Sequence, residues 1–188
     1  MRETAETLLI EHGWAATTIR QIAGAAKVSP ETIYKSFGGK AGLLKSAYDA
    51  RIAGDDAPVA IAQREGVARL RAARSAAEAA EAWAALALTI HTRSAALTAL
   101  ALGAQATEPA LADFVRTIDA ERMAGADLTT AHWEREGWLR VPQPQARDRL
   151  WLIGSATGYL DVTRLGWDGD QVSEWYRDCV LGLVLTAS

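Results

Sequence analysis

Apolar residues recur at spacings of three and four along almost the whole chain, the period of a helix, and no stretch of any length alternates with period two. Residues 4–12 place Ala5, Leu8 and Leu9 on one stripe, and Gly13 follows as the residue expected just past a helix C-terminus. Thr18 opens a second helix, with Gln21 three positions later in a capping-box arrangement and Ile19, Ile22, Ala23 and Ala26 as its inner face. Ser29-Pro30 opens a third. The serine is the N-cap, and proline takes the first helical position, where its missing N–H costs nothing. Ile33 and Phe37, four apart, share the inner face of that helix, and Val28 reads as a plug into a three-helix core. After Gly38-Gly39 a fourth helix covers 41–52.

A break at 54–58 marks a change of composition. Residues 59–102 are dominated by alanine, with Arg64, Arg69, Arg71 and Arg74 and then Trp83, Leu86, Leu88 and Ile90. Pro109 opens a helix expected to reach Gly125, and a shorter one holds His132, Trp133 and Glu134. VPQPQ at 141–145 is a turn. Two apolar helices, 146–165 and 170–186, flank GWDGD, in which Asp168 or Asp170 can cap the last helix. The expected fold class is all-α: three helices forming an N-terminal helix-turn-helix domain within residues 1–50, and a second helical domain over 51–188.

Charge sharpens this division. The formal net charge is −3, which taken as one number argues against nucleic acid. Between Thr18 and Lys45, however, stand five basic residues against one acid, whereas residues 51–188 hold 14 basic and 18 acidic. A surface footprint needs only local charge. The single cysteine, Cys179, excludes an internal disulfide and fits a reducing compartment. The longest uncharged stretch, 94–107, has 14 residues, short of the roughly 18–20 of a membrane span. The first residues lack the apolar run of a signal peptide, so the expectation is a cytoplasmic protein with no membrane partner.

Two short helices joined by A-K-V-S make the connection expected of a helix-turn-helix. On the third helix Glu31, Thr32, Lys35 and Ser36 fall on or near the outer face, with Tyr34 at its edge. A recognition helix needs this division: a buried side that fixes it to the scaffold, and polar groups in its first turns for base edges in the major groove. Each residue also has an ordinary reading. Tyr34 can be a half-buried core aromatic, Lys35 and Lys40 solvated lysines, and Gly38-Gly39 a C-cap. Glu31 can accept from a cytosine amino group or simply favour its own helix N-terminus.

Residues 4–48 resemble the DNA-binding domain of the TetR (tetracycline-repressor) family of transcriptional regulators. Ala5, Leu9, the run HGWAATTIRQIA and the run AAKVSPETIYKSFGGKAGLL carry the resemblance. It implies an all-helical homodimer with an N-terminal DNA-binding domain and a C-terminal ligand-binding, dimerising domain. It further implies Thr18 as a phosphate-contacting cap, Thr32 and Lys35 as groove-facing residues, Tyr34 at the DNA backbone, and Lys40 as a phosphate contact. Ser29 and Glu31 stand at variable positions that contribute to specificity, and Lys27 completes the DNA-binding candidates. Two features depart from the family pattern. The first helix begins almost at Met1, and Ser36 stands where a larger polar residue is usual.

All seven tryptophans except Trp14 lie in the C-terminal part. Trp83, Trp133, Trp138 and Trp151, with His91 and Tyr159, are the effector-binding candidates; core filling is the commoner fate of such rings. His91 and Arg93 on an apolar helix must find water, a partner or a ligand. Gly154, Ser155, Ala156 and Gly158 form a small-residue surface. Gly154, Gly158, Trp175, Leu181 and Leu185 are the dimer-interface candidates, with packing inside one subunit as the alternative. LGWDGDQVSEWYRDCVLGLVL resembles the end of many C-terminal domains of the same family, in which the last two helices pair with those of a second subunit. The function expected is a repressor that binds a pseudo-palindromic double-stranded DNA operator and is released by an apolar or aromatic small-molecule effector. The alternative is a helical dimeric adaptor or ligand-binding protein with a weakened DNA-binding head. Against an enzyme stand the scatter of His12, His91 and His132, the lone Cys179, and the spacing of Asp148 and Asp161; the glycines at 154 and 158 are placed inside a helix, so no phosphate loop is expected. Neither cofactor nor metal is expected.

Overall fold

The computed structural model describes residues 1–53 and 65–186, so the break expected at 54–58 lies outside the described residues. Among the described residues there are ten helices and no strand, only an isolated antiparallel bridge between Leu139 and Leu185. The chain divides into two compact units, Met1–Pro58 with Ala96–Thr117, and Val59–Ala95 with Ile118–Ser188.

In the first unit, α1 (Arg2–Ala16), α2 (Ile19–Ala25), α3 (Pro30–Phe37) and α4 (Lys40–Ala53) form the head. Its core is Ala5, Leu9, Ile22, Ala23, Ile33, Leu43, Leu44 and Ala47. Each fully buried aliphatic side chain there contributes about 1.5–3 kcal/mol. The caps are those the sequence announces. Thr18 closes a capping box with Gln21, and the Ser29 hydroxyl accepts from the Thr32 amide with Pro30 in the first turn. Gly13 sits at φ 80 inside the nominal span of α1, so the regular helix stops there. Val28 and Phe37 are only half-buried, with Ile33 the fully buried seat of α3. Gly42 is fixed by packing: a Cβ there would overlap the carbonyl oxygen of Phe37, so only glycine lets α4 cross this close to the end of α3.

The remaining helices are α5 (Glu65–Ala72), α6 (Ala76–Ala104), α7 (Pro109–Arg135), α8 (Gln143–Ile153), α9 (Ala156–Arg164) and α10 (Gly169–Leu183). The alanine-rich stretch is therefore two helices, and Ser75 caps the second by accepting from the Glu78 amide. Two expected boundaries are corrected. Residues 109–135 form one helix, because Gly125 is exposed at an ordinary helical φ and Ile118, Ala126 and Trp133 carry the buried face across it. The helix expected over 146–165 is broken at Gly154, where the Ser155 side chain caps α9 by accepting from the Gly158 amide. Asp168, not Asp170, caps α10, again in a capping box, with Gln171. Among the described residues α6 is the one helix long and apolar enough to cross a membrane, a match that the uncharged-stretch count did not find. Ala76, Ala79, Ala80, Ala84 and Ala87 on it are buried in the core of the second unit.

Candidate functional site

The outer face of the head is built on α2 and α3. Lys27, in the turn between them, takes a left-handed conformation at φ 55, and the next residue's amide returns to the carbonyl of Ala23. This tight turn sets α3 against α2 and leaves Glu31, Tyr34, Lys35 and Ser36 exposed, Tyr34 by 57%. Thr32 is half-buried, its hydroxyl 3.2 Å from that of Ser29. Glu31 is held below the usual carboxylate range, first by its own amide and then by the Ser29 hydroxyl, so it stays charged at the helix N-terminus. The Tyr34 ring rests within van der Waals distance of where a Cβ on Gly39 would stand. Gly38 at φ 75 and Gly39 at φ 129 make the turn that permits this. Thr18, Lys27, Ser29, Glu31, Tyr34 and Lys35 are all exposed on this part of the head.

Lys40 behaves differently from a free phosphate ligand. Its ammonium donates to the carbonyls of Trp14 (2.6 Å) and Thr17 (2.8 Å) and lies 4.1 Å from the centre of the Trp14 ring. Burial lowers its pKa, offset in part by Glu108. The lysine therefore clamps the α1–α2 junction, and Thr17, fully buried, adds hydroxyl bonds to the carbonyls of Leu8 and Gly13. Sequence reasoning missed both roles. Another clamp joins the ends of the head: Arg51 Nε donates to both carboxylate oxygens of Glu6 (2.8 and 2.9 Å).

In the second unit the effector candidates separate. His91, buried, stacks on Tyr159 (ring centres 5.4 Å apart) and faces Tyr176 (6.0 Å), against which Trp83 packs edge-on (5.7 Å). Arg122 lies over the Trp151 ring (4.6 Å) and donates to the carbonyls of Trp151 (2.7 Å) and Gly154 (3.0 Å). Desolvation and then the Arg122 charge push the His91 pKa down to about 4, against a raising contact with the Gly154 carbonyl. Burial likewise raises the Tyr176 hydroxyl. Trp138 instead packs on His132, and its carbonyl accepts from Thr186, while Trp133 is fully buried in the core. Tyr176 and Arg122 are the residues missed. The stripe Val172, Tyr176, Val180 marks the buried face of α10 and was the available signal for the tyrosine.

Among the dimer-interface candidates, burial corrects Leu185, and the two glycines have a role within the chain. Gly154 serves a contact within the chain, a Cβ there standing 3.3 Å from the Trp83 ring, and Gly158 leaves room for the capping hydroxyl of Ser155. The small residues thus make a helix break and form no continuous stripe. Leu185 has 0% exposure and cannot lie on an outer face. Trp175 and Leu181 are half-buried, the tryptophan against Trp167 and Tyr176. Among the described residues of this unit the large apolar side chains left exposed are Leu128 on α7, Leu152 on α8 and Leu183 on α10, with Leu165 between α9 and α10.

Comparison with known proteins accords with this geometry. Residues 2–47 match the model of the bacterial regulatory proteins of the tetR family. A candidate transcriptional regulator from Saccharomonospora viridis, solved in complex with choline, superposes with a TM-score of 0.72 at 18% identity, over 99% of this chain and 96% of that one. The fatty acid degradation regulator FadR from Bacillus halodurans gives 0.68 at 17% identity, covering 96% and 92%. A TetR transcriptional regulator from Agrobacterium tumefaciens gives 0.61 at 26% identity, covering 98% and 92%. No curated protein sequence matches this one.

Proposed function

We propose that this chain, whose residues 2–47 are the N-terminal domain of the TetR family and whose fold is that of solved regulators of the family, is an operator-binding repressor that a small molecule releases. The observation that carries the reading is α3. It is seated by fully buried Ile33 and capped by Ser29, and it leaves Glu31, Tyr34 and Lys35 exposed beside the start of α2. An exposed tyrosine and lysine on a rigidly seated helix suit the phosphate backbone and a major groove, and Thr32 with Ser29 offers hydroxyls at the helix entry. Lys40 acts first as a clamp in this reading and contacts phosphate with its remaining N–H.

The active form is a homodimer in the cytoplasm. Leu152 and Leu183, exposed on the packed pair α8 and α10, are its contact, with Trp175 and Leu181 at the margin. Two heads on one dimer read half-sites one helical turn apart, about 34 Å, hence a pseudo-palindrome. The effector binds among Trp83, His91, Trp151, Tyr159 and Tyr176; the choline bound in the Saccharomonospora viridis protein and the fatty-acid role of the Bacillus halodurans one support a small-molecule ligand in this fold. α6 carries His91 and runs on into the residues that belong to the unit of the head. A ligand that fits one placement of α6 better than another shifts the population of operator-binding dimers, by its difference in affinity for the two.

The test is selection of duplexes from a random library by the full chain. Enrichment of an inverted repeat, abolished by Tyr34→Ala while the dimer persists, is the expected result. Recovery of no common sequence contradicts the reading and favours the adaptor alternative.

A further inference from the structure

Five buried side-chain polar atoms of the second unit have no partner among the described residues: His132 Nε2 and Trp133 Nε1 on α7, His91 Nδ1 and the Tyr176 hydroxyl on facing rings, and Trp151 Nε1 on the ring beneath Arg122. His91 faces Tyr176 with ring centres 6.0 Å apart. Its contact with the Gly154 carbonyl joins it to Arg122, which donates to that same carbonyl and lies 4.6 Å from the centre of the Trp151 ring. Native interiors rarely leave buried polar groups unpaired, because each forfeits its hydration with nothing in return. His91 Nδ1 and the Tyr176 hydroxyl, on facing rings, therefore offer polar contacts to a guest's own polar group.

The chemistry of His91, Tyr176 and Trp151 restricts the guest. A neutral imidazole has one N–H and one lone pair, and a hydroxyl can meet Nδ1 in either tautomer because it both donates and accepts. The phenol can donate or accept, and the indole only donates. The formal charge at hand is Arg122, already committed to Asp119 and two backbone carbonyls. No carboxylate is buried among the described residues of this unit. A cation would meet the aromatic rings of Trp83, Tyr159 and Tyr176 with a guanidinium nearby, and the carboxylate at hand, Asp119, is already paired with that guanidinium. Arg122 commits three of its five N–H groups, so a carboxylate could reach it, but its acceptors would then face a lone pair on Nδ1.

We propose that this cluster takes an uncharged, largely apolar molecule by one hydroxyl group, which donates to His91 Nδ1 and accepts from the Tyr176 hydroxyl, with Trp83 and Tyr159 flanking its apolar body. The proposal rests on the effector-responsive reading above and narrows the class of effector. It makes His91 and Tyr176 the residues that distinguish an alcohol or phenol from a hydrocarbon, an acid or an ammonium of the same shape.

Equilibrium dialysis of the full chain against four probes of one skeleton tests it: 2-naphthol, naphthalene, 2-naphthoate and 2-naphthyltrimethylammonium. The naphthol is expected to bind about tenfold more tightly than naphthalene, as two hydrogen bonds offset by desolvation of the hydroxyl allow, and more tightly than either ion. His91→Phe and Tyr176→Phe should each bring the naphthol-to-naphthalene ratio towards one. The wild-type ranking stands as a test even where a variant fails to fold. Tightest binding by the ammonium or the naphthoate, equal binding of naphthol and naphthalene, or binding of none of the four overturns the proposal. Binding of duplex DNA by the same preparation is measured in parallel. A failed ranking with DNA binding intact removes the ligand class alone, and absent DNA binding with the ranking intact removes the regulator reading alone.

Discussion

Acidification should destabilise this protein through His91, over a pH window that the structure defines. The ring is 6% exposed, and its pKa is pushed down to about 4 by desolvation and by the charge of Arg122. In the unfolded chain it takes a proton below about pH 6.5, as an ordinary histidine does. The folded chain refuses that proton until the pH nears the lower value, so between the two the unfolded state binds more protons and stability falls as pH falls. The contribution is fully present above the unfolded value, amounts to a loss of about 2 kcal/mol at pH 5, and approaches about 3 kcal/mol well below the folded value. Urea denaturation at pH 7.5, 6.5, 5.5 and 5, followed by tryptophan fluorescence, measures it. Carboxylates also titrate towards the acid end, so the informative quantity is the difference between wild type and His91→Gln, which lacks the group. The wild type should lose about 2 kcal/mol more than the variant between pH 7.5 and pH 5. Parallel losses in the two proteins, or a wild type that gains stability in that interval, would refute the buried neutral imidazole.

Three further substitutions follow from packing. Lys40→Ala removes two charged hydrogen bonds and a cation–π contact, so the head should lose about 1–2 kcal/mol in thermal denaturation as well as affinity for every duplex alike. Full stability with lost DNA affinity would show that the clamp contributes nothing. Gly42→Ala should destabilise by about 3 kcal/mol, since the added methyl meets the Phe37 carbonyl and backbone must move; an unchanged denaturation midpoint would contradict that close approach. Leu152→Glu with Leu183→Glu should turn a dimer into monomers in sedimentation equilibrium while leaving helicity unchanged, because both leucines are exposed within one chain. A dimer that survives the pair places the contact elsewhere.

What the sequence disclosed of the fold and the site follows the range of the forces involved. Caps are local contests, settled within four residues, and Thr18 with Gln21, Ser29 with Pro30, and Asp168 all act in the structure as their spacing suggested. Glycine is ambiguous by nature. In a helix interior it costs only about 1 kcal/mol, so Gly125 stays helical where the flanking buried face outweighs it. Gly154 ends α8 because Ser155 offers the next turn a cap and Trp83 packs against the gap. The exposed residues of α3 were legible because one buried stripe on a short helix dictates what faces outward. Lys40 was not, since its partners Trp14 and Thr17 are over twenty residues away and only the packing of α4 on α1 brings them near. Nor was the buried cluster, because a residue's lack of a partner is a property of its neighbours in space: Tyr176 and Arg122 sit on different helices from His91 and from each other.

The central claim is that the head recognises a particular duplex. It is tested most directly by fluorescence anisotropy of the full chain on the selected inverted repeat and on a scrambled duplex of equal length, across a salt series. A TetR-type regulator should bind the repeat at least about a thousandfold more tightly than the scrambled duplex, with affinity falling steeply as salt rises. Equal affinity for the two duplexes at every salt concentration would contradict it.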